Sequence, residues 1–167
     1  TPEFVVQSDA IVTNDVREEE YTLYGFRTEQ ERDMFLRLIN VKGVALCCTS
    51  TRGAHAMSAL LAQHKYWDIP IACSSETGIP IGSKYHLGMT SYPHETTYFS
   101  DVVNFYRMLL ASSLEKVNIV VLGQIVNIDA LLKSQPDVHS PLNGQELVSE
   151  KVNCIYFVGG KSDGRLE

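Results

Sequence analysis

Residues 117–132, VNIVVLGQIVNIDALL, carry the clearest indication of the fold. The first part of this stretch is apolar apart from one asparagine, which predicts a buried strand over residues 117–122. Gly123 permits a tight backbone turn, and apolar residues then recur at helical spacing over residues 125–132. A strand that passes directly into a helix is typical of a β-α-β unit, so we expect a parallel sheet.

Strand and helix signals alternate along the rest of the chain. Strands are predicted at residues 10–13, 41–48, 69–73 and 152–158. Helices are predicted at residues 28–39, 54–64 and 97–112, with a long loop over 74–96 and a polar connection over 136–150. We therefore predict a single α/β domain over residues 1–167, with an open, mostly parallel, Rossmann-type sheet of about five strands and flanking helices.

The composition is typical of a globular protein and argues against two kinds of partner. Hydrophobic residues make up 44% of the 167 residues and charged residues 20%, which is enough to bury a core. The net charge is -6 and no patch of Lys and Arg is visible, so we predict no nucleic-acid partner. No apolar stretch approaches the ~20 residues that cross a bilayer, so we predict no membrane partner.

The cysteines indicate a reducing compartment. Cys47, Cys48, Cys73 and Cys154 lie in or beside apolar, strand-like runs and have no C-x-x-C spacing. We expect them to be small buried hydrophobes in an intracellular protein. No signal peptide is recognised, but the chain begins at Thr1 rather than Met. Both the cytoplasm and an organelle reached after removal of a targeting peptide therefore stay open.

Carboxylates gather after the first predicted strand, and parallel sheets bind ligands beyond the carboxyl ends of their strands. Asp15 follows that strand, with Glu18, Glu19 and Glu20 close behind. Carboxylate oxygens are the ligands that Ca²⁺ prefers, and a carboxylate there would also serve as general base toward a metal-bound water. The same glutamates are typical of the first turn of a helix, and that structural role is the commoner one.

Taken in order, these pieces resemble the inosine-uridine preferring nucleoside hydrolase family. The family's D-x-D-x-x-x-D-D motif is similar to residues 13–20 (TNDVREEE), and its L-G-P-L-T-N-I-A pattern is similar to residues 122–129 (LGQIVNID). Its D-I-P-V strand resembles residues 68–72 (DIPIA), and its M-G-G strand end resembles residues 157–160 (FVGG). The resemblance spans most of the chain, and the shared order is stronger evidence than any single motif.

The resemblance implies hydrolysis of the N-glycosidic bond of a ribonucleoside by a water molecule held on Ca²⁺. By position, Asp15 would bind the metal and act as general base, and Glu20 would bind the metal. Leu122 would offer its carbonyl oxygen to the same ion, and Glu19 and Asn127 would contact the substrate.

The chain departs from the family pattern at the motif itself. Thr13 stands in place of the first Asp, and Glu19 and Glu20 carry their carboxylates one methylene further out. A displacement of about 1 Å can cost about 10²-fold in rate. Nothing in the chain resembles the family's C-terminal half, which supplies a further metal-binding Asp. The alternative is a truncated, catalytically degenerate subunit that joins a protein partner or a homo-oligomer as a structural or interaction component.

A second resemblance is local. Residues 16–44 contain LYGF followed by TEQER, and they are similar to part of the Holliday-junction-binding subunit of the bacterial branch-migration complex. The helix-hairpin-helix that grips DNA in that family has no counterpart after Val44, and the chain is acidic. An ordinary surface helix with a capping box also explains this match.

The histidines and aromatic residues give weaker indications. None of the five histidines has metal-ligand spacing, and we expect His86 and His94 to be solvated in the long loop. Trp67 stands just before a predicted strand, where we expect it to anchor the edge of the core. Tyr98 is expected to pack over an edge of the sheet.

Overall fold

The computed structural model describes residues 3–8, 40–47, 51–73, 88–94 and 97–157. In chain order, the elements in those residues are β1 (Glu3–Ser8), β2 (Asn40–Leu46), α1 (Thr51–Gln63), β3 (Ile71–Cys73), α2 (Val102–Ser112), β4 (Val117–Val121), α3 (Val126–Lys133), α4 (Gly144–Lys151) and β5 (Val152–Phe157). Within this described part of the chain, no helix is long and apolar enough to span a bilayer.

The strands form one parallel sheet in the order β3-β2-β1-β4-β5. β1 lies at its centre, where Val6 pairs with Val44 of β2 on one side and with Val120 of β4 on the other. The chain therefore builds outward from β1 to β3, then crosses back to β4 and continues to β5. This is a doubly wound arrangement, and the prediction of an α/β fold with mainly parallel strands is confirmed.

Successive residues of a strand point to opposite faces of a sheet, and β2 follows that rule. Val44 and Leu46 pack in one apolar cluster with Met57 of α1, on the first face. Ala45 packs in a second cluster with Phe105 of α2, on the opposite face, where α3 and α4 also contribute. Both faces of the sheet are covered by helices, which is the arrangement that parallel sheets require.

β1 was not predicted from the sequence. The first strand was predicted at residues 10–13, which lie outside the described residues, whereas the backbone of Glu3–Ser8 pairs with two neighbouring strands. The apolar run in this strand is only Phe4 to Val6, with Glu3 before it and Gln7 after it. A run of that length carries no periodicity that would separate a strand from a loop.

The predicted polar connection over residues 136–150 was wrong, because it contains α4. Asn143 Oδ1 accepts a hydrogen bond from the Glu146 backbone N–H at 3.0 Å, and Glu146 Oε2 accepts one from the Asn143 N–H at 2.9 Å. These reciprocal bonds form a capping box. Leu147 is the one large side chain that the helix buries, so α4 lacks the apolar stripe on which the prediction depended.

The predictions for the cysteines, for the start of α2 and for Trp67 had different outcomes. Cys47 and Cys73 are buried as expected, whereas Cys154 is half-buried on β5 and Cys48 lies outside the described residues. Helix α2 begins at Val102 rather than at residue 97, because Phe99 bridges to Ala72 and extends the edge of the sheet. Trp67 is not a core anchor: it is 55% exposed in the turn that follows α1, where Lys65 has a φ of 66°.

A buried arginine on α2 holds the connection between α3 and α4. Arg107 is 1% exposed, and its Nε lies 2.8 Å from Oδ2 of Asp137. Its Nη1 donates to Ser134 Oγ at 2.9 Å, and its Nη2 donates to the carbonyl oxygens of Ser140 and Leu142 at 3.0 and 2.8 Å. A buried cation is tolerated when it is paired and hydrogen-bonded in this way. Arg107 therefore fixes a segment that has no regular structure of its own.

Candidate functional site at the carboxyl edge of the sheet

The carboxyl ends of β2, β1 and β4 lie side by side at one edge of the sheet. From this carboxyl edge, α1 follows β2 onto one face, and α3 follows β4 onto the other. The direction of winding therefore reverses at β1. In doubly wound folds a crevice forms at this reversal, and ligands bind in it. The carboxyl edge is the candidate site.

Asn127 joins two elements of the carboxyl edge. It is completely buried in the first turn of α3, and its Nδ2 donates to the carbonyl oxygen of Leu46, at the end of β2, at 3.0 Å. Among the residues that the structure describes, Oδ1 of Asn127 has no hydrogen-bond partner. A buried polar atom without a partner costs about 1–3 kcal/mol, so this oxygen is a ready acceptor for a donor group.

The predicted site residues fall into two groups. Asn127 and Leu122 are described, and both lie at the carboxyl edge, where Leu122 follows β4 and is 45% exposed. Asp15, Glu19 and Glu20 lie outside the described residues, so their roles stay predictions. Within the described ranges no three His, Cys, Asp or Glu side chains gather closely enough to hold a metal ion. The predicted Ca²⁺ site also stays a prediction.

The observed end of β1 points to a residue that the sequence analysis did not consider. β1 ends at Ser8, and the next residue in the sequence is Asp9. Because the first strand was predicted at residues 10–13, the strand end was assigned to Asn14 and Asp15 instead. The apolar run from Phe4 to Val6 is too short to identify the strand, so no pattern in the sequence marked Asp9 as the residue after a strand.

A histidine pair near the start of α1 was also missed. His94 Nε2 lies 3.4 Å from His55 Nδ1, and His94 Nδ1 lies 2.7 Å from the carbonyl oxygen of Tyr92. Both rings are partly buried, and the Tyr98 ring packs edge-on against His55 with centroids 6.2 Å apart. His94 was expected to be solvated, and it is only partly exposed because its ring contacts His55. The two histidines are 39 residues apart in the chain, so their spacing gave no signal.

An aromatic pocket of about 200 Å³ lies at the amino end of β3, away from the carboxyl edge. Its wall includes Tyr66, Trp67, Tyr98 and Phe99, with Asp68 beside them. This position explains the exposure of Trp67, which faces a cavity rather than the core.

A comparison with solved structures shows which known fold this chain resembles. The chain superimposes on the crystal structure of the type III effector protein XopQ, complexed with adenosine diphosphate ribose, with a TM-score of 0.59 and 17% sequence identity. The match covers 99% of this chain and 46% of XopQ, so the chain spans less than half the length of that protein. XopQ has a nucleoside hydrolase fold, and at this level of identity the match shows that this chain shares the fold. No family model matches the sequence, and no curated protein matches it.

Proposed function

We propose that this chain is a nucleoside-hydrolase-fold domain that binds a ribose-containing ligand of the ADP-ribose class at the carboxyl edge, without Ca²⁺-dependent turnover. The observation that carries the proposal is the arrangement at Asn127. Its Nδ2 links the start of α3 to the end of β2 through a hydrogen bond to the Leu46 carbonyl oxygen, and its Oδ1 has no hydrogen-bond partner among the described residues. The crystal structure of XopQ, which shares the fold, holds adenosine diphosphate ribose.

Two features of the carboxyl edge suit such a ligand. The Asn127 Oδ1 can accept a hydrogen bond from a ribose hydroxyl or an amino group. The N-cap position of α3, Ile125, provides no side-chain hydrogen bond to the helix. The first N–H groups of α3 therefore have no cap from that residue and are suited to a phosphate oxygen. Together they favour a ligand that carries both a sugar and a phosphate.

Hydrolysis is the alternative that the family resemblance implies, and the carboxylates support it poorly. Placed at residues 13–20, the D-x-D-x-x-x-D-D motif keeps one aspartate, Asp15, and has Glu19 and Glu20 in place of two others. Placed at the end of β1, the motif falls on residues 7–14 (QSDAIVTN), of which the first two belong to that strand, and it keeps Asp9 alone. The motif has four acidic positions, which are carboxylates at three positions in the first placement and at one in the second, so either placement supplies fewer carboxylate ligands at those positions than the family motif does. Binding without turnover is therefore the proposal that these residues favour.

The test is a calorimetric titration of ADP-ribose into the whole chain, with and without Ca²⁺. We expect binding in both conditions, and we expect Asn127→Ala to weaken it by about tenfold or more because a buried acceptor is lost. Asn118→Ala is the matched control. Asn118 is also a buried asparagine, but it lies near the start of β4 and accepts a hydrogen bond from Asn153 at 3.0 Å. Thermal melts of both variants establish that they are folded.

The possible outcomes separate the two activities. No heat from the wild-type chain, or equal affinity in Asn127→Ala and wild type, would overturn the binding proposal. Release of free ribose from inosine or uridine only when Ca²⁺ is present would instead establish hydrolysis. In that case, loss of release in Asp15→Asn would support the predicted metal ligand, and loss in Asp9→Asn would support the placement at the end of β1.

β5 is the last strand on its side of the sheet among the described residues, and it favours a second candidate, an interaction role. Ile155, Tyr156 and Phe157 are 37%, 51% and 54% exposed on consecutive positions, so both faces of β5 present apolar area. Apolar residues on an unpaired edge strand are a template for sheet extension, and natural proteins usually block such edges with charge. We propose that a second copy of the chain pairs along β5, edge to edge about a two-fold axis.

Sedimentation of the purified chain over a range of concentrations tests this pairing. We expect a dimer whose population rises with concentration, and we expect Phe157→Lys to keep the chain monomeric by placing a charge at the edge. Leu114→Lys is the control, because Leu114 is fully exposed in the turn between α2 and β4. A wild-type chain that stays monomeric throughout, or a dimer that Phe157→Lys leaves intact, would rule out this interface.

A further inference from the structure

We infer that His55 and His94 together bind a divalent transition-metal ion of the zinc and copper class, at a site separate from any Ca²⁺ site. The two rings come from different parts of the fold. His55 lies in the first half of α1, and His94 lies in the segment that precedes the edge bridge of Phe99 to Ala72. Neither the family resemblance nor the comparison with XopQ assigns this pair a role.

The distance between the two nitrogens decides between a hydrogen bond and a shared metal ion. His94 Nε2 and His55 Nδ1 are 3.4 Å apart. An N–H···O hydrogen bond in a protein usually spans about 2.7–3.2 Å, so this N···N contact is at the long end for a hydrogen bond. Two nitrogen ligands at about 2.0–2.1 Å from a tetrahedral Zn²⁺ lie about 3.3 Å apart. The observed separation therefore matches the spacing of two nitrogens that bind one cation.

The protonation of His94 is fixed by its second contact. A carbonyl oxygen can only accept a hydrogen bond, so the 2.7 Å contact between His94 Nδ1 and the Tyr92 oxygen places the proton on Nδ1. In the neutral ring, Nε2 then carries a lone pair, and it is Nε2 that lies nearest to His55. A metal-bound histidine typically donates its other ring N–H to a backbone carbonyl in just this way.

The ligand chemistry selects the class of metal. Imidazole nitrogen suits Zn²⁺, Cu²⁺ and Ni²⁺, whereas Ca²⁺ prefers oxygen. With two protein ligands the remaining positions on the ion are open to water or to a ligand's own donor atoms. The Tyr98 ring against His55 restricts how far that ring turns, which helps to preserve the geometry in the absence of the ion.

The experiment uses the whole chain after treatment with EDTA. Zn²⁺ is titrated calorimetrically into the wild type, His55→Gln, His94→Gln and the control His64→Gln. His64 is exposed just beyond the end of α1, where its backbone N–H closes the helix. We expect each of the first two variants to lose at least about tenfold in affinity, and we expect the control to match the wild type. Loss of both histidines together should add little, because the pair acts as one site.

Cu²⁺ serves as the spectroscopic probe. We expect electron paramagnetic resonance of the Cu²⁺-loaded chain to show two coordinated imidazoles, with one remaining in His94→Gln. If Zn²⁺ releases no heat on titration into the wild type, or the same heat with the wild type and with both variants, the histidine pair is only a hydrogen bond. Either result would overturn the inference. Thermal melts of the metal-free variants establish that any lost affinity does not come from unfolding.

Discussion

Replacement of Arg107 by leucine is expected to lower the free energy of unfolding by about 1–3 kcal/mol, measured by urea denaturation at pH 7, because buried hydrogen-bond acceptors lose a donor. The leucine leaves the carbonyl oxygen of Leu142 without its Arg107 donor, and it leaves Asp137 without its cation. The Ser140 carbonyl oxygen keeps only the Asp137 backbone N–H as its donor. Arg52→Leu is the matched control, because Arg52 is exposed on α1. We expect that control to change stability by less than about 0.5 kcal/mol. A small effect of Arg107→Leu would mean that the connection is held by other contacts.

The ion pair between Arg107 and Asp137 is also expected to make the free energy of unfolding depend on pH in acid. The hydrogen bond from Arg107, together with the backbone N–H groups of Ser140 and His139, lowers the pKa of Asp137 from 3.8 to about 2. A carboxyl group whose pKa is lower in the folded state stabilises the fold above its unfolded pKa. That stability is lost as the pH falls from about 4 toward 2. In Asp137→Asn this component of the acid dependence should be absent, and equal slopes in both proteins would show that the pair has no role.

The sequence revealed those elements in which a local pattern is strong. Residues 117–132 were interpreted correctly as strand, turn and helix, because VNIVV is an apolar run and Ile128 and Leu131 repeat at helical spacing. β1 and α4 were missed for one physical reason: each has too few apolar residues for a periodicity. Leu147, for example, is buried in the cluster that contains Phe105, not by a stripe of its own helix.

The candidate site shows the same limit: single residues were named from the sequence, but contacts between distant residues were not. Asn127 was named because residues 122–129 resemble a family pattern, and its role toward a substrate stays a prediction. Its contact with Leu46 could not be predicted from the sequence, since 81 residues separate the two. The His55 and His94 pair and the Arg107 contacts are likewise products of tertiary structure, joining residues 27 to 39 positions apart. A pattern in one sequence identifies the ends of strands, whereas only the order of strands in the sheet determines which ends meet.

Replacement of Gly144 by alanine is expected to destabilise the chain by about 3 kcal/mol or more, at the upper end of the cost of overpacking. A Cβ atom at this position would lie 1.8 Å from the carbonyl oxygen of Leu131 and 2.8 Å from Ser134 Oγ. The first of these neighbours is backbone at the end of α3, so it cannot rotate away as a side chain would. The Gly144 N–H also donates to the Ser134 carbonyl oxygen at 2.9 Å, and that bond would lengthen.

Gly88→Ala is the control, because a Cβ atom there would meet nothing within 4 Å. We expect it to leave the urea midpoint unchanged or slightly raised, since alanine restricts the unfolded chain.

The two damaging substitutions act on one segment: Gly144→Ala pushes Ser134 away, and Ser134 accepts a hydrogen bond from Arg107. The double variant with Arg107→Leu should therefore lose less stability than the sum of the single losses. Strict additivity would show that α4 and the buried arginine stabilise the fold independently, and that the clash at Gly144 is relieved by a shift of α4 alone.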